Sequence, residues 1–301
     1  MGTIALTRYR PVLPALATLV ALVFPTALAG QQTSAPHRQP DVHFVPTDTT
    51  KVREMLTAAN VTANDLVYDL GCGDGRFVIT AVKKFKARRG VCVDIDPVRI
   101  KESQSNADTA GVRNKIEFVE GDLFEQDLSK ATVITLYLLP SLNERLRPKL
   151  FRETRPGTRI VSNAFDMGDW KAERTMTVKM NSGMQSYAYL WIMPADISGQ
   201  WRLTTQGGGA NEHTLDVKQK YQEVSGTAAA GGKAAPLSNL TVKGDQVSFT
   251  LGEGADRAEY TGKVTDGKAS GTAKGKAGSF GWSAERTQPG ERPDTVSATG
   301  T

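Results

Sequence analysis

Chemistry that depends on cysteine or histidine has little to draw on in this chain. Of 301 residues, two are cysteine (Cys72 and Cys92) and three are histidine (His37, His43 and His213). Two cysteines are too few for a zinc site or a disulfide framework. A single bridge between them stays open, with small buried thiols as the default expectation. Two of the histidines lie in or beside a polar N-terminal stretch, so neither a metal cluster nor a Ser-His-Asp arrangement suggests itself. The G-x-S-x-G nucleophile turn is absent. Strong charge is missing too. The net charge is +5, and Arg8 and Arg10 supply two of those charges, leaving +3 for the remainder. That is too small and scattered to argue for a nucleic-acid partner. Lys83, Lys84, Lys86, Arg88 and Arg89 cluster at one helix end, where solvation and the helix dipole account for them.

A long uninterrupted apolar run is lacking as well, because Pro11, Pro14 and Pro25 break up the N-terminal one. Residues 1–29 instead have the build of a secretory signal. Arg8 and Arg10 give a basic start, residues 12–24 an apolar core, and Ala27-Leu28-Ala29 a small-x-small cleavage pattern. The expected location is periplasmic or extracellular. If the segment is not cleaved, it associates the chain with a membrane. Residues 30–41 are polar and read as a linker.

The informative stretch is N-D-L-V-Y-D-L-G-C-G-D-G-R, residues 64–76. Leu66, Val67, Tyr68 and Leu70 suit a strand buried on both faces. Asp69 sits at its end, and Gly71, Gly73 and Gly75 alternate through a turn. Helical spacing follows, with Phe77, Val78, Ala81, Val82 and Phe85 on one face. Strand, glycine turn and helix together bring bare backbone up to a small ligand. The spacing is not G-x-G-x-x-G, and an acid just before the turn suits a ligand with a positive amino group better than a phosphate.

This stretch resembles the first motif of the class I S-adenosylmethionine-dependent methyltransferases. The segment ahead of it, Phe44-Val45-Pro46-Thr47, resembles the lead-in of a lysine methyltransferase group that includes the ATP synthase c-subunit lysine methyltransferases. There it covers the cofactor, which implies a donor-side role for Thr47. A second strand over 90–95 ends at Asp94, 19 residues beyond Gly75, the offset at which a carboxylate reaches ribose hydroxyls. Asp96 and Pro97 read as the cap and first turn of the next helix. A third strand over 116–120 leads to Asp122, which the resemblance assigns to the adenine edge, with Leu123 beside the ring. The fourth strand, 132–138, runs into Leu139 and Pro140, where many amino methyltransferases carry Asn-Pro-Pro-Tyr. Tyr137 and Pro140 are the candidates nearest the transferred methyl. The loop 163–170, rich in aromatic and acidic residues, is a candidate acceptor wall, and a negative wall would suit a cationic lysine.

The expected fold class is α/β: a Rossmann-like seven-stranded methyltransferase sheet over residues 42–195, in the family's order 3-2-1-4-5-7-6. A C-terminal all-β module, barrel or sandwich, follows over 198–287 with seven or eight short strands. Gly199-x-Trp201 and Val224-Ser225-Gly226-Thr227 resemble calycin-type or avidin-type barrels. Residues 288–301 read as a disordered tail. The resemblance implies an S-adenosylmethionine-dependent enzyme that N-methylates a protein lysine. A small-molecule acceptor is one alternative. A non-catalytic nucleoside-binding module, with the β domain carrying the function, is another. An exported enzyme would also need a supply of a donor made in the cytosol.

Overall fold

The computed structural model describes residues 1–3, 39–206, 212–276 and 278–291. Apart from the first three, these belong to one folded unit that begins at Arg38. Residues 4–29 of the expected signal segment and residues 30–38 of the linker lie outside the described residues. No described helix is long and apolar enough to cross a membrane.

The first layer is a seven-stranded sheet. In chain order it holds β1 (Leu66–Leu70), β2 (Arg89–Asp94), β3 (Ile116–Glu120), β4 (Val133–Leu136), β5 (Arg159–Asn163), β6 (Arg174–Lys179) and β7 (Gln185–Ile192). The spatial order is β3-β2-β1-β4-β5-β7-β6, as expected. The first five strands are parallel, and β7 runs antiparallel between β5 and β6. Helix α1 (Thr49–Ala58) precedes β1, and α2 (Arg76–Lys84), α3 (Pro97–Ala110) and α4 (Pro140–Glu153) lie in the connections β1–β2, β2–β3 and β4–β5. Asp48 caps α1 by accepting from the Thr50 amide at 2.8 Å, and Asp96 caps α3 by accepting from that of Val98 at 2.8 Å. Val67, Val78, Ala81 and Cys92 are buried where α2 packs on the sheet.

Strand β4 is shorter than the run 132–138 suggested. Its partner β1 ends at Leu70, paired with Leu136, where the glycine turn begins. Beyond that point there is no ladder for Tyr137–Leu139 to join. Leu139 is extended (φ −64°, ψ 154°), as a residue before proline must be, and Pro140 starts α4.

Nine strands follow: β8 (Gly199–Gln206), β9 (Glu212–Lys220), β10 (Glu223–Ala230), β11 (Lys233–Pro236), β12 (Ser238–Lys243), β13 (Gln246–Leu251), β14 (Ala258–Thr265), β15 (Lys268–Gly275) and β16 (Gly278–Pro289). They form one antiparallel sheet in the order β11-β10-β9-β8-β16-β15-β14-β13-β12, so the last strand closes onto the first. The remaining seam lies between β10–β11 and β12, where the Leu237 amide donates to the Gly226 carbonyl at 2.9 Å. The module is therefore a nearly closed barrel. Alternate residues point inward, Trp201, Leu203, Phe249 and Trp282 among them, and leave an apolar cavity of about 30 Å³. Gln288 and Pro289, expected in the tail, instead pair with Gln200 and Gly199, and residues 292–301 lie outside the described residues.

Candidate functional site

A cavity of about 470 Å³ opens at the carboxyl ends of β1, β2 and β4 and the loop after β3. Each acid that the sequence assigns to the donor reaches it. Asp69, Asp94 and Asp122 all line it, as do Thr47, Gly71, Leu123 and Tyr137. Three of the sequence candidates do not. Gly75 is the left-handed N-cap of α2 (φ 78°), and a Cβ there would lie 2.9 Å from that of Ser103. Gly73 (φ 54°) is covered by the ring of Phe44, which a Cβ would meet at 2.2 Å. Pro140 stands exposed at the start of α4, outside the cavity lining.

The turn between β1 and α2 is fastened to β2 in three ways. The amides of Gly71 and Cys72 donate to the Val93 carbonyl at 2.9 and 3.0 Å. The Gly73 amide donates to Asp94 Oδ2 at 2.8 Å. Cys72 and Cys92 form a disulfide, so the expectation of two buried thiols is corrected. The turn brings Cys72 back over β2, which sets the two Cα atoms 5.3 Å apart, within bridging range.

The two innermost acids differ. Asp94 accepts from the amides of Gly73 and Asp96, one on each oxygen, and burial holds its carboxyl above the usual range. Each oxygen keeps a second lone pair. Asp69 is 3% exposed. Its Oδ1 accepts from the Thr135 hydroxyl at 2.6 Å, and its Oδ2 is buried with no hydrogen-bond partner among the described residues. Burial, and then the nearby charges of Asp74 and Asp94, push its pKa up to about 8. Such a carboxylate lacks a cation. The ammonium of an amino-acid ligand supplies one, and the fit to the methionine end of S-adenosylmethionine rests on this orphaned oxygen. Asp122 Oδ1 accepts from the Phe124 amide at 2.9 Å, which fixes the loop after β3.

Residues 39–47 run along the cavity. Arg76, which was not singled out in the sequence, ties this segment to the glycine turn. Its guanidinium donates to the Thr47 carbonyl and pairs with Asp74. Asn163 Nδ2 donates to Thr47 Oγ1 at 3.0 Å, joining the same residue to the end of β5. Arg99 lies 4.9 Å from the centroid of the Phe44 ring. In the sequence, the Asp74-Gly75-Arg76 spacing was the available sign of the Arg76 pairing, whereas nothing local marked Asn163 as a partner of Thr47.

The candidate acceptor wall is apolar rather than acidic. From the loop 163–170 only Phe165 lines the cavity, facing Tyr137 at a centroid separation of 6.5 Å. Asp169 instead pairs with Arg147 and Lys220 and accepts from the Tyr221 hydroxyl, which hold its carboxyl down at about 2. Asp166 Oδ1 accepts from the Gly168 amide. The expected negative wall is thus corrected.

Residues 69–174 match the family model of the ANTKMT methyltransferase domain. Over 154 residues, half of this chain, the sequence is 44% identical to a protein-lysine N-methyltransferase of Saccharolobus islandicus and covers 95% of that protein. It is 29% identical to the ATP synthase c-subunit lysine N-methyltransferase of Xenopus laevis, spanning 65% of that relative's length. Among solved structures it is similar to an RNA methyltransferase from Salinibacter ruber in complex with S-adenosyl-L-homocysteine, at 49% identity and a TM-score of 0.46, covering 49% of this chain and 93% of that one. The chain belongs to the class I S-adenosylmethionine-dependent methyltransferases, in the family of these protein-lysine N-methyltransferases.

Proposed function

We propose that this protein transfers a methyl group from S-adenosylmethionine to the side-chain amine of a protein lysine. The observation that carries the reading is the near full-length match to a protein-lysine N-methyltransferase, joined to a cavity ringed by three acids at successive strand ends. In this reading Asp69 faces the ammonium of the donor, Asp94 accepts from the ribose hydroxyls, and Asp122 with Leu123 meets the adenine. When bound, the donor supplies a methyl group already activated on a sulfonium. The protein's part is then alignment and exclusion of water. Tyr137, Leu138 and Phe165 form a dehydrating wall on the acceptor side. An amine with an ordinary pKa of about 10.4 loses its charge more readily against such a wall than in water.

The basic start, apolar core and Ala27-Leu28-Ala29 support a site of action outside the cytosol or at a membrane. The Cys72–Cys92 bridge supports the same placement, since stable disulfides belong to oxidising compartments.

The test is transfer of labelled methyl from S-adenosylmethionine into fractionated membrane and soluble proteins, followed by acid hydrolysis. Label recovered as methyl-lysine is expected. Label recovered in small metabolites, or in material destroyed by ribonuclease, would overturn the proposal.

A further inference from the structure

Phe165 reaches the cavity through a sharp bend. Ala164 takes φ +66°, and the Phe165 amide donates to the Asn163 carbonyl at 2.8 Å. A left-handed residue other than glycine, inside a three-residue turn, persists only when its surroundings over-determine it. The restraints come from two sides. From α4, Asn143 Nδ2 donates to the carbonyls of Phe165 and Asp166 at 3.4 and 3.0 Å, and Arg147 donates to that of Met167 at 2.8 Å.

The second side is the barrel. Its β9–β10 turn, with Tyr221 at φ +55°, reaches out to the same loop. The Tyr221 hydroxyl donates to Asp169 Oδ1 at 2.9 Å, and its ring stacks on Trp170 at 5.8 Å. Gln222 accepts from the Trp170 indole at 2.9 Å and donates to the Lys171 carbonyl at 2.7 Å. The Asp69, Asp94 and Asp122 side hangs on other elements of the sheet.

We propose that the β9–β10 turn of the barrel is a positioning element for the acceptor. Tyr221 and Gln222 hold the loop 163–170 so that Phe165 stands opposite Tyr137, and this sets the affinity for the acceptor amine while leaving the donor side alone. The inference rests on the methyltransferase reading of the cavity. It gives the barrel a part in catalysis through an aromatic wall, without a ligand of its own.

The experiment compares the wild-type full chain with Tyr221→Phe and Tyr221→Phe/Gln222→Ala. The single substitution keeps the ring should the double one fail to fold. Backbone hydrogen exchange followed by mass spectrometry reads the loop, and methyl transfer to poly-L-lysine reads the acceptor. With one restraining hydrogen bond gone in the single variant and three in the double, exchange across 163–170 should rise about tenfold while residues 66–75 keep their protection. The KM for poly-L-lysine should rise by about the same factor, with the KM for S-adenosylmethionine and kcat within about twofold of wild type. Unchanged exchange in the loop in both variants would overturn the proposal, and so would faster exchange with an unchanged acceptor KM. If wild type leaves poly-L-lysine unlabelled, the acceptor KM is read on the protein fraction that wild type labels, and an unchanged KM there would overturn the positioning role whichever residue carries the methyl.

Discussion

Thr135 donates a hydrogen bond to one oxygen of Asp69 at 2.6 Å, and the other oxygen of the same carboxyl group is buried with no hydrogen-bond partner among the described residues. The pair lies between neighbouring parallel strands, Asp69 on β1 opposite Thr135 on β4. An acid so placed is held protonated without a donor and is ready to ionise against a cation.

A pH dependence follows. Asp69 has its pKa raised to about 8 in the folded protein, against about 3.9 in an unfolded chain. Between those values the folded state keeps a proton that the unfolded state has lost, so this group's stabilising share falls as pH rises through the window. Asp69→Asn stays neutral and lacks the slope. Urea unfolding at pH 5 and pH 8 should show wild type losing stability relative to Asp69→Asn, and saturating S-adenosylmethionine should shrink the difference. Parallel behaviour of the two proteins would refute the assignment.

Lys51 makes a second titration prediction of opposite sign. It is 1% exposed on α1, bonded to the Ser186 hydroxyl, and burial lowers its pKa to about 8. From there up to about 10.4 the unfolded chain holds a proton that the folded protein has given up, so stability rises with pH. Lys51→Met should therefore be more stable than wild type near pH 7, and the gap should narrow as pH climbs toward 10. Denaturant midpoints across that range check it, and a gap independent of pH would contradict it.

Removing the bridge with Cys72→Ser/Cys92→Ser frees a loop spanning 20 residues in the unfolded chain. Chain-entropy reasoning puts the loss at about 3 kcal/mol, or roughly 5 °C in Tm for a chain of this size. Calorimetric melts with and without reductant should show wild type falling under reductant to the level of the variant. Equal melts in both conditions would mean that the bridge does not form.

Phe44 and Gly73 form the other fastening of the glycine turn. Gly73→Ala drives a Cβ into the Phe44 ring, whereas Phe44→Ala removes the ring without touching the backbone. Both should speed dissociation of S-adenosylmethionine by roughly tenfold, equivalent to about 1.4 kcal/mol of lost contact, with association little changed. Stopped-flow fluorescence separates the two rates, and a dissociation rate unchanged in Phe44→Ala would remove the covering role of that ring.

Most of the fold could be read from the chain because its signals are local. The apolar run 66–70, the glycine alternation, Asp96-Pro97 and the strand-end acids each act within a few residues, and the seven-stranded order follows from the family they resemble. The pairings across the chain were not legible. The sequence marks Asp169 as an acid but not the Arg147, Lys220 and Tyr221 that neutralise it, the last two of them about 50 residues away on the barrel. Nor does it show that Tyr137 leaves the sheet once β1 ends, or that Cys72 folds back over Cys92. Those outcomes depend on which elements become neighbours, and only packing decides that.

Recognition of the donor depends most on one carboxylate. Asp94 is asked both to hold the Gly73 amide and to accept from the ribose. Calorimetric titration of S-adenosylmethionine into wild type and Asp94→Ala tests this. One site per chain is predicted for wild type, weakened about tenfold to a hundredfold in the variant by loss of charge-assisted bonds and an orphaned amide. No saturable binding to wild type, or equal affinity in the variant, would contradict it.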